Sequence, residues 1–568
     1  MIRRGTYLTG RAFLLLASEV RGLQSAAYVL ALFALLSSLL ALVRDRLFAH
    51  MFGAGTTLDL YYAAFRIPDF IFVATGALVS VYILIPELAK RTGRAEQEYV
   101  DTIVAGFSAL AIAACAIAFI AAPAILTFLL PHVAAQGLLP TVALLTRIML
   151  LQPILLGFSN ILAAITQSRH RYLLYALSQL LYNVGIIIGA TCLYPLFGIA
   201  GLALGVVLGA AMHMGIQIPS IVADGFFHRL PRIHDMQALI HTVATSIPRA
   251  LALSMTQLTY TALVAFAGIL TTGSIAIFTF AYNLQAVPLS IVGASYSVAA
   301  FPTLAAALRR GERGLFISHV ATAARHVVFW SLPATALIIV LRAHIVRVIL
   351  GSGAFDWTDT RLTAAALGLF AVSLVAQGLM LLLVRAYYAA GRTFVPLLIS
   401  TMVAAGTVLL GALAVGALHN TLIVGMVETL LRVVDVPGTG VLALACAYAL
   451  VSILGTIVII IHFEHRFKGF LRDVLPSWGH TLLASLACGL AAYLTLQVAG
   501  PITLASTVLT VFLRGASAGV IGIAVCALVY HFVGSREYRE TVATIRMRLQ
   551  RASLSPSIVA AAEEQAVP

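Results

Sequence analysis

A chain of 568 residues in which 61% are hydrophobic and only 10% are charged is no soluble globular domain, where about 25% of residues carry charge. Its mean hydropathy of +1.02 is that of a polytopic membrane protein with little mass outside the bilayer. The formal net charge of +14 would suit nucleic acid only as one basic patch. Instead the basic residues fall in alternate loops.

Residues 1–25 form a basic cytoplasmic segment with Arg3, Arg4, Arg11 and Arg21. Membrane spans follow it, not a cleavage site and a soluble domain, so no removable signal peptide is expected. The hydropathy predicts fourteen spans, near 26–50, 58–88, 101–129, 139–166, 172–193, 197–220, 238–268, 273–305, 318–350, 360–389, 394–417, 440–463, 479–499 and 507–532. One alternate set of connections holds 23 of the 35 Lys and Arg residues, among them Lys90, Arg91, Arg169, Arg171, Arg309, Arg310 and Arg313. The other set includes PHVAAQG, YPLFG and TTGS, which hold none. The positive-inside rule then puts both termini in the cytoplasm.

Spans 1 and 2 stand out. Arg44, Asp45, Arg46, Asp59, Arg66 and Asp69 lie in or beside them, although a charge at a helix centre costs roughly 2.5–3.5 kcal/mol on insertion. FGAG, Pro68 and Pro86 punctuate the same stretch and predict broken helices around a cavity. Span 2 recurs in span 8. Ala64-Phe65-Arg66-Ile67 lies 217 residues before Ala281-Tyr282-Asn283-Leu284, and Gly76 to Val81 meets Gly293 to Val298 at the same offset. Six intervening spans make the halves parallel, related by an axis along the membrane normal. The expected fold is all-α, with two pseudo-symmetric six-helix lobes and a C-terminal pair. An N-lobe covers 26–220 and a second lobe opens over 238–417. An insertion at 418–439 precedes spans 12 to 14 at 440–532, and a cytoplasmic tail fills 533–568. The insertion, with Glu428 and Arg432 spaced i,i+4, reads as an amphipathic helix on the membrane surface or as an ordered cap over the lobes. The basic tail residues 536–551 are expected to meet anionic lipid headgroups.

The segments RDRLFAHMFGAGTTLDLYYAAFRIPDF, AYNLQAVPLSIVGASYSVAAFPTL and VRVILGSGAFDWTDTRLTAAALGLF resemble the signature of the MurJ/MviN lipid II flippase family, over most of residues 26–400. That resemblance implies a transporter, not an enzyme. It would move the undecaprenyl-pyrophosphate-linked peptidoglycan precursor from the inner to the outer leaflet by alternating access, with the cell-wall synthesis machinery as a partner. The chain departs from the family pattern in three places. Ser37-Ser38 stands for a Ser-Arg pair, FIFVATGA is apolar where basic residues are usual, and Asn283 replaces an arginine of span 8.

Arginine suits a phosphate because its planar fork stays charged and binds in a bidentate manner. Arg44 beside Asp45 reads either as a cavity-lining anion site or as an ion pair at a helix end. Arg66 is either a cavity residue or a cap at the break before Pro68. Asp59 would hold one of these arginines or cap the helix after Gly53-Ala54-Gly55. Arg249 in span 7 and Arg385 in span 10 are candidates to replace the missing arginines, whereas Arg147 is expected to snorkel to an interface. Five cysteines in apolar runs read as packing residues. With no Walker A, HExxH or metal-ligand spacing, no cofactor, metal or nucleic acid is expected. The partners that the resemblance implies are a lipid-linked pyrophosphate and membrane lipids. An exporter of another lipid-linked saccharide, a multidrug exporter of the same superfamily, and a scaffold without transport are the competing readings.

Overall fold

The computed structural model describes residues 23–76, 79, 81–227, 230–418, 420–503 and 506–553, and among these every regular element is helical. The arginines of the N-terminal segment fall outside them. Among the described residues, 11 helices are long and apolar enough to cross a membrane, and 12 spans result when the bent pair Trp357–Val372 and Leu374–Ala389 counts as one. The 30-residue helix Leu23–Phe52 and the broken run Thr56–Ala64, Arg66–Gly76, Val81–Leu88 occupy the places of spans 1 and 2. The architecture is thus consistent with fourteen spans.

The break in span 2 follows from its sequence. Pro68 lacks an N–H and cannot donate to the carbonyl of Ala64, so the helix restarts at Arg66 with Pro68 in its first turn, where no donor is needed. The released Ala64 carbonyl accepts instead from the Thr146 hydroxyl at 3.3 Å. Elsewhere close helix approach is set by glycine. Helix Tyr172–Ile188 and the π turn Gly189–Leu193 meet helix Ile199–Gly215 through Gly185, Gly189, Gly205 and Gly209. A Cβ on Gly185 would stand 2.2 Å from the Gly209 Cα. Small residues at four-residue spacing allow this backbone contact in lipid, where no hydrophobic force drives helices together.

The chain divides into two compact units. The first holds residues up to Val287 with Ile349–Phe370 and Arg392–Gly455, and the second holds Pro288–Val348, Ala371–Gly391 and the chain from Thr456 on. In the first unit, helix Thr421–Leu431 of the insertion turns Leu422, Met426 and Leu430 outward, 74–82% exposed. The expected Glu428–Arg432 pair does not form on a continuing helix face. Arg432 lies beyond the last turn with φ 61°, and Glu428 accepts from the Thr439 hydroxyl at 2.6 Å. In the second unit, helices Phe470–Ala499 and Val508–Val533 pack through Ala484, Cys488, Ala492, Ala518, Gly522 and Cys526. The tail helix Arg536–Ser553 docks there through buried Glu537, whose Oε1 lies 3.1 Å from Arg325. Cys115, Cys488 and Cys526 are buried packing residues as expected, while Cys192 is exposed.

Candidate functional site

Within the first unit, Arg44 and Arg66 reach one cavity of about 300 Å³, whose wall includes Asp69, Asn283, Gln257 and five tyrosines, Tyr61, Tyr62, Tyr182, Tyr260 and Tyr282. A larger crevice of about 460 Å³ opens among the loops near Arg91 and Arg169. There the Arg169 guanidinium is committed to Glu96 at 2.8 Å, and neighbouring Arg171 to Asp224 at 2.7 Å. A third space, apolar apart from Glu428 and Thr439, lies against the insertion helix. Of the three, the tyrosine-walled cavity alone combines cations with burial in the membrane-spanning helices.

Arg44 sits near the end of helix Leu23–Phe52. Its Nε and Nη2 donate to Asp45 Oδ1 at 2.9 and 2.8 Å, and its Nη1 donates to Asn183 Oδ1 at 3.0 Å. Asn183 in turn donates to the Ser37 hydroxyl at 3.3 Å. The second oxygen of Asp45 accepts from Asn283 Nδ2 at 3.0 Å. The Arg44–Asp45 pair therefore joins three helices, and Asp45 is sealed off: its side chain is 4% exposed against 19% for Arg44. Arg44 is thus both ion-paired and cavity-lining.

Arg66 follows the break in span 2. Its Nε donates to the Tyr62 carbonyl at 3.0 Å, its Nη2 lies 3.6 Å from Asp69 Oδ2, and its guanidinium stacks 4.6 Å from the Tyr260 ring centroid. Gln152 holds the other Asp69 oxygen at 3.4 Å. Arg66 Nη1 is buried with no protein partner. The two arginines are thus each balanced by one carboxylate. Such pairing makes the charge tolerable in lipid, and each fork keeps donor capacity for an incoming acceptor.

The other expected residues are placed differently. Asp59 holds no arginine and does not cap its own helix, whose N-cap Gly55 makes no side-chain bond. Its carboxylate accepts from the backbone N–H of Gly273 at 2.6 Å and of Ala276 at 2.9 Å. It caps helix Ser274–Pro288, because that helix end and not its own faces the carboxylate. Arg249 is half-buried on helix Met236–Ala267 and is not among the cavity-lining residues. Arg385 belongs to the second unit, where it donates to the Ala294 carbonyl at 3.0 Å and the Ser297 hydroxyl at 2.6 Å. Arg147 donates to the Phe119 carbonyl at 3.0 Å and lies over the Phe119 ring. Sequence reasoning missed Asn183, Gln257 and the tyrosine wall. Only Tyr61-Tyr62 beside the FRIP segment offered a signal.

The family model described as "Lipid II flippase MurJ" matches residues 48–516. The chain is 25% identical over 382 residues to a probable lipid II flippase MurJ of Buchnera aphidicola, covering 65% of this chain and 73% of that one. It is 26% identical to the probable lipid II flippase MurJ of Thermotoga maritima, covering 65% and 75%. Among solved structures, a lipid II flippase MurJ in an inward closed conformation superposes with a TM-score of 0.71 at 20% identity, covering 91% of this chain and all of that one. An inward-facing multidrug resistance MATE family transporter gives 0.59 at 14% identity, covering 77% and 96%.

Proposed function

We propose, on the premise that this chain belongs to the MurJ lipid II flippase family, that it carries lipid II across the membrane and that its pyrophosphate rides in the tyrosine-walled cavity on Arg44 and Arg66. The observation that carries this reading is the convergence of two ion-paired arginines on one buried space. A dianion entering a roughly 30 Å hydrocarbon core needs charge-assisted donors. Arg44 and Arg66 supply them while Asp45 and Asp69 neutralise the empty site. A cation exporter would instead want a carboxylate free of basic partners, and here Asp45 is engaged by Arg44 and Asn283 on both oxygens.

In this reading Asn283 has a supporting role, fixing Asp45, and Asp59 has a structural one. Both termini lie in the cytoplasm, and the precursor is delivered to cell-wall synthesis on the outer face. The test is complementation of a flippase-depleted strain by Arg44→Ala and Arg66→Ala at matched membrane abundance. Losing a charge-assisted contact costs about 1.5–3 kcal/mol, so growth is expected to fail in both. Full growth with either variant would remove that arginine from the mechanism.

A further inference from the structure

The cavity wall carries three buried polar atoms for which the protein offers no partner: Arg66 Nη1, the Tyr62 hydroxyl and the Gln257 amide nitrogen. Arg66 and Tyr62 are only 5% and 6% exposed. An unpaired buried donor carries its full desolvation penalty, and native proteins leave few of them. Three on one cavity call for a ligand rich in acceptors. Arg66 and Tyr62 flank the break in span 2, whereas Gln257 comes from helix Met236–Ala267, two turns beyond Arg249. All three are donors, so the matching group is an oxyanion rather than a cationic or apolar molecule.

We infer that Tyr62 and Gln257 are substrate-binding residues, which together with Arg66 bind one phosphoryl group of a polyprenyl diphosphate while Arg44 binds the other. The inference rests on the reading under Proposed function. It assigns neutral donors to the place where the sequence led one to look for a compensating arginine. Neutral donors fit the electrostatics of the site. Asp69 already balances Arg66, so a hydroxyl and an amide add hydrogen bonds without adding a buried charge that would have to be paired when the cavity is empty. They also make this half of the site selective by geometry. A ligand lacking the second phosphoryl leaves the same donors orphaned, as they are in the free protein, and gains nothing from them.

The experiment uses the full chain in phosphatidylcholine nanodiscs, titrated calorimetrically with farnesyl diphosphate, farnesyl monophosphate and farnesol. The wild type is expected to prefer the diphosphate. Tyr62→Phe removes one oxygen, and Gln257→Leu keeps the side chain's size. Each is expected to weaken diphosphate binding about tenfold while leaving monophosphate binding within about twofold. Gln257→Glu, which sets an anion against the ligand, is expected to weaken diphosphate binding further. Diphosphate binding as tight as wild type in both Tyr62→Phe and Gln257→Leu overturns the assignment, and so does an equal loss for both phosphates. A wild-type protein that does not prefer either phosphate to farnesol defeats the substrate reading itself, and this inference with it. Unliganded melting temperatures separate misfolding from lost contacts. If Gln257→Leu melts early, Tyr62→Phe alone decides.

Discussion

At the scale of residues, the two arginines are held in different ways, and the difference predicts different sensitivities. Arg44 spends Nε and Nη2 on a single Asp45 oxygen, a rigid arrangement set by Asn183 and Asn283. Arg66 has a looser ion pair at 3.6 Å, and its guanidinium carbon sits over the Tyr260 ring at 4.6 Å from the centroid, a cation–π contact suited to a delocalised cation. An ammonium cannot both reach the Tyr62 carbonyl and stack. Arg66→Lys is therefore expected to lower lipid II translocation in proteoliposomes by about tenfold or more, although charge is conserved. Translocation at the wild-type rate would mean that charge alone matters at this position. Asn283→Ala removes the donor on Asp45 Oδ2 and is expected to slow translocation less, because Arg44 and Asp45 still face each other. The arginine-bearing motifs were legible because charged residues in apolar runs stand out. Asn183 was not, since one amide in an apolar span looks ordinary and its partner lies 139 residues away.

At the scale of elements, the turn after Phe52 and the start of helix Ser274–Pro288 form one backbone joint. Asp59 accepts two N–H groups there. Gly273 has φ +90°, and a Cβ on it would fall 2.2 Å from the Ala54 carbonyl oxygen. A second joint pairs the Ala354 N–H with the His50 carbonyl at 2.9 Å and the Ala54 N–H with Asp359 at 3.1 Å. Gly273→Ala is expected to cost about 2 kcal/mol or more, from the positive φ and the clash together. Gly311 has φ +75° with open space around it, so Gly311→Ala should cost only the backbone part, about 1–2 kcal/mol. Thermal unfolding in detergent compares the two directly. Equal losses would show that the Ala54 contact is slack. The helix breaks at FGAG and Pro68 were readable from Gly and Pro chemistry. The identity of the helix that Asp59 caps was not, because a carboxylate near a helix start is scored against its own helix, and only packing brings the other one closer.

At the scale of the whole molecule, the repeat and the charge pattern make separate demands. Under the 217-residue offset the equivalent of Asp59 is Ala276, and Asp59 accepts a hydrogen bond from that residue, at a sequence separation of 217. Halves related by a twofold axis bring equivalent residues together beside that axis, and this contact is one that the proposed repeat requires. The repeat is proposed from the Gly and Pro punctuation that spans 2 and 8 share. The grouping of the chain into compact units was not legible in the sequence, since their borders at Val287 and Gly455 fall inside long apolar segments that carry no boundary signal.

Orientation rests on charge alone, and it sets the direction of the proposed transport. By the positive-inside rule, the loops with Lys90, Arg91 and Arg94 and with Arg309, Arg310 and Arg313 are expected on the cytoplasmic side and PHVAAQG outside. With the five native cysteines replaced, because Cys192 is exposed, single cysteines at Thr92, Gln136 and Gly311 report the sidedness. A membrane-impermeant maleimide is expected to label Gln136→Cys in intact cells, and Thr92→Cys and Gly311→Cys only after permeabilisation. The opposite pattern would place the basic loops outside, against the membrane's inward attraction for Lys and Arg. It would also turn the proposed direction of precursor movement the other way round.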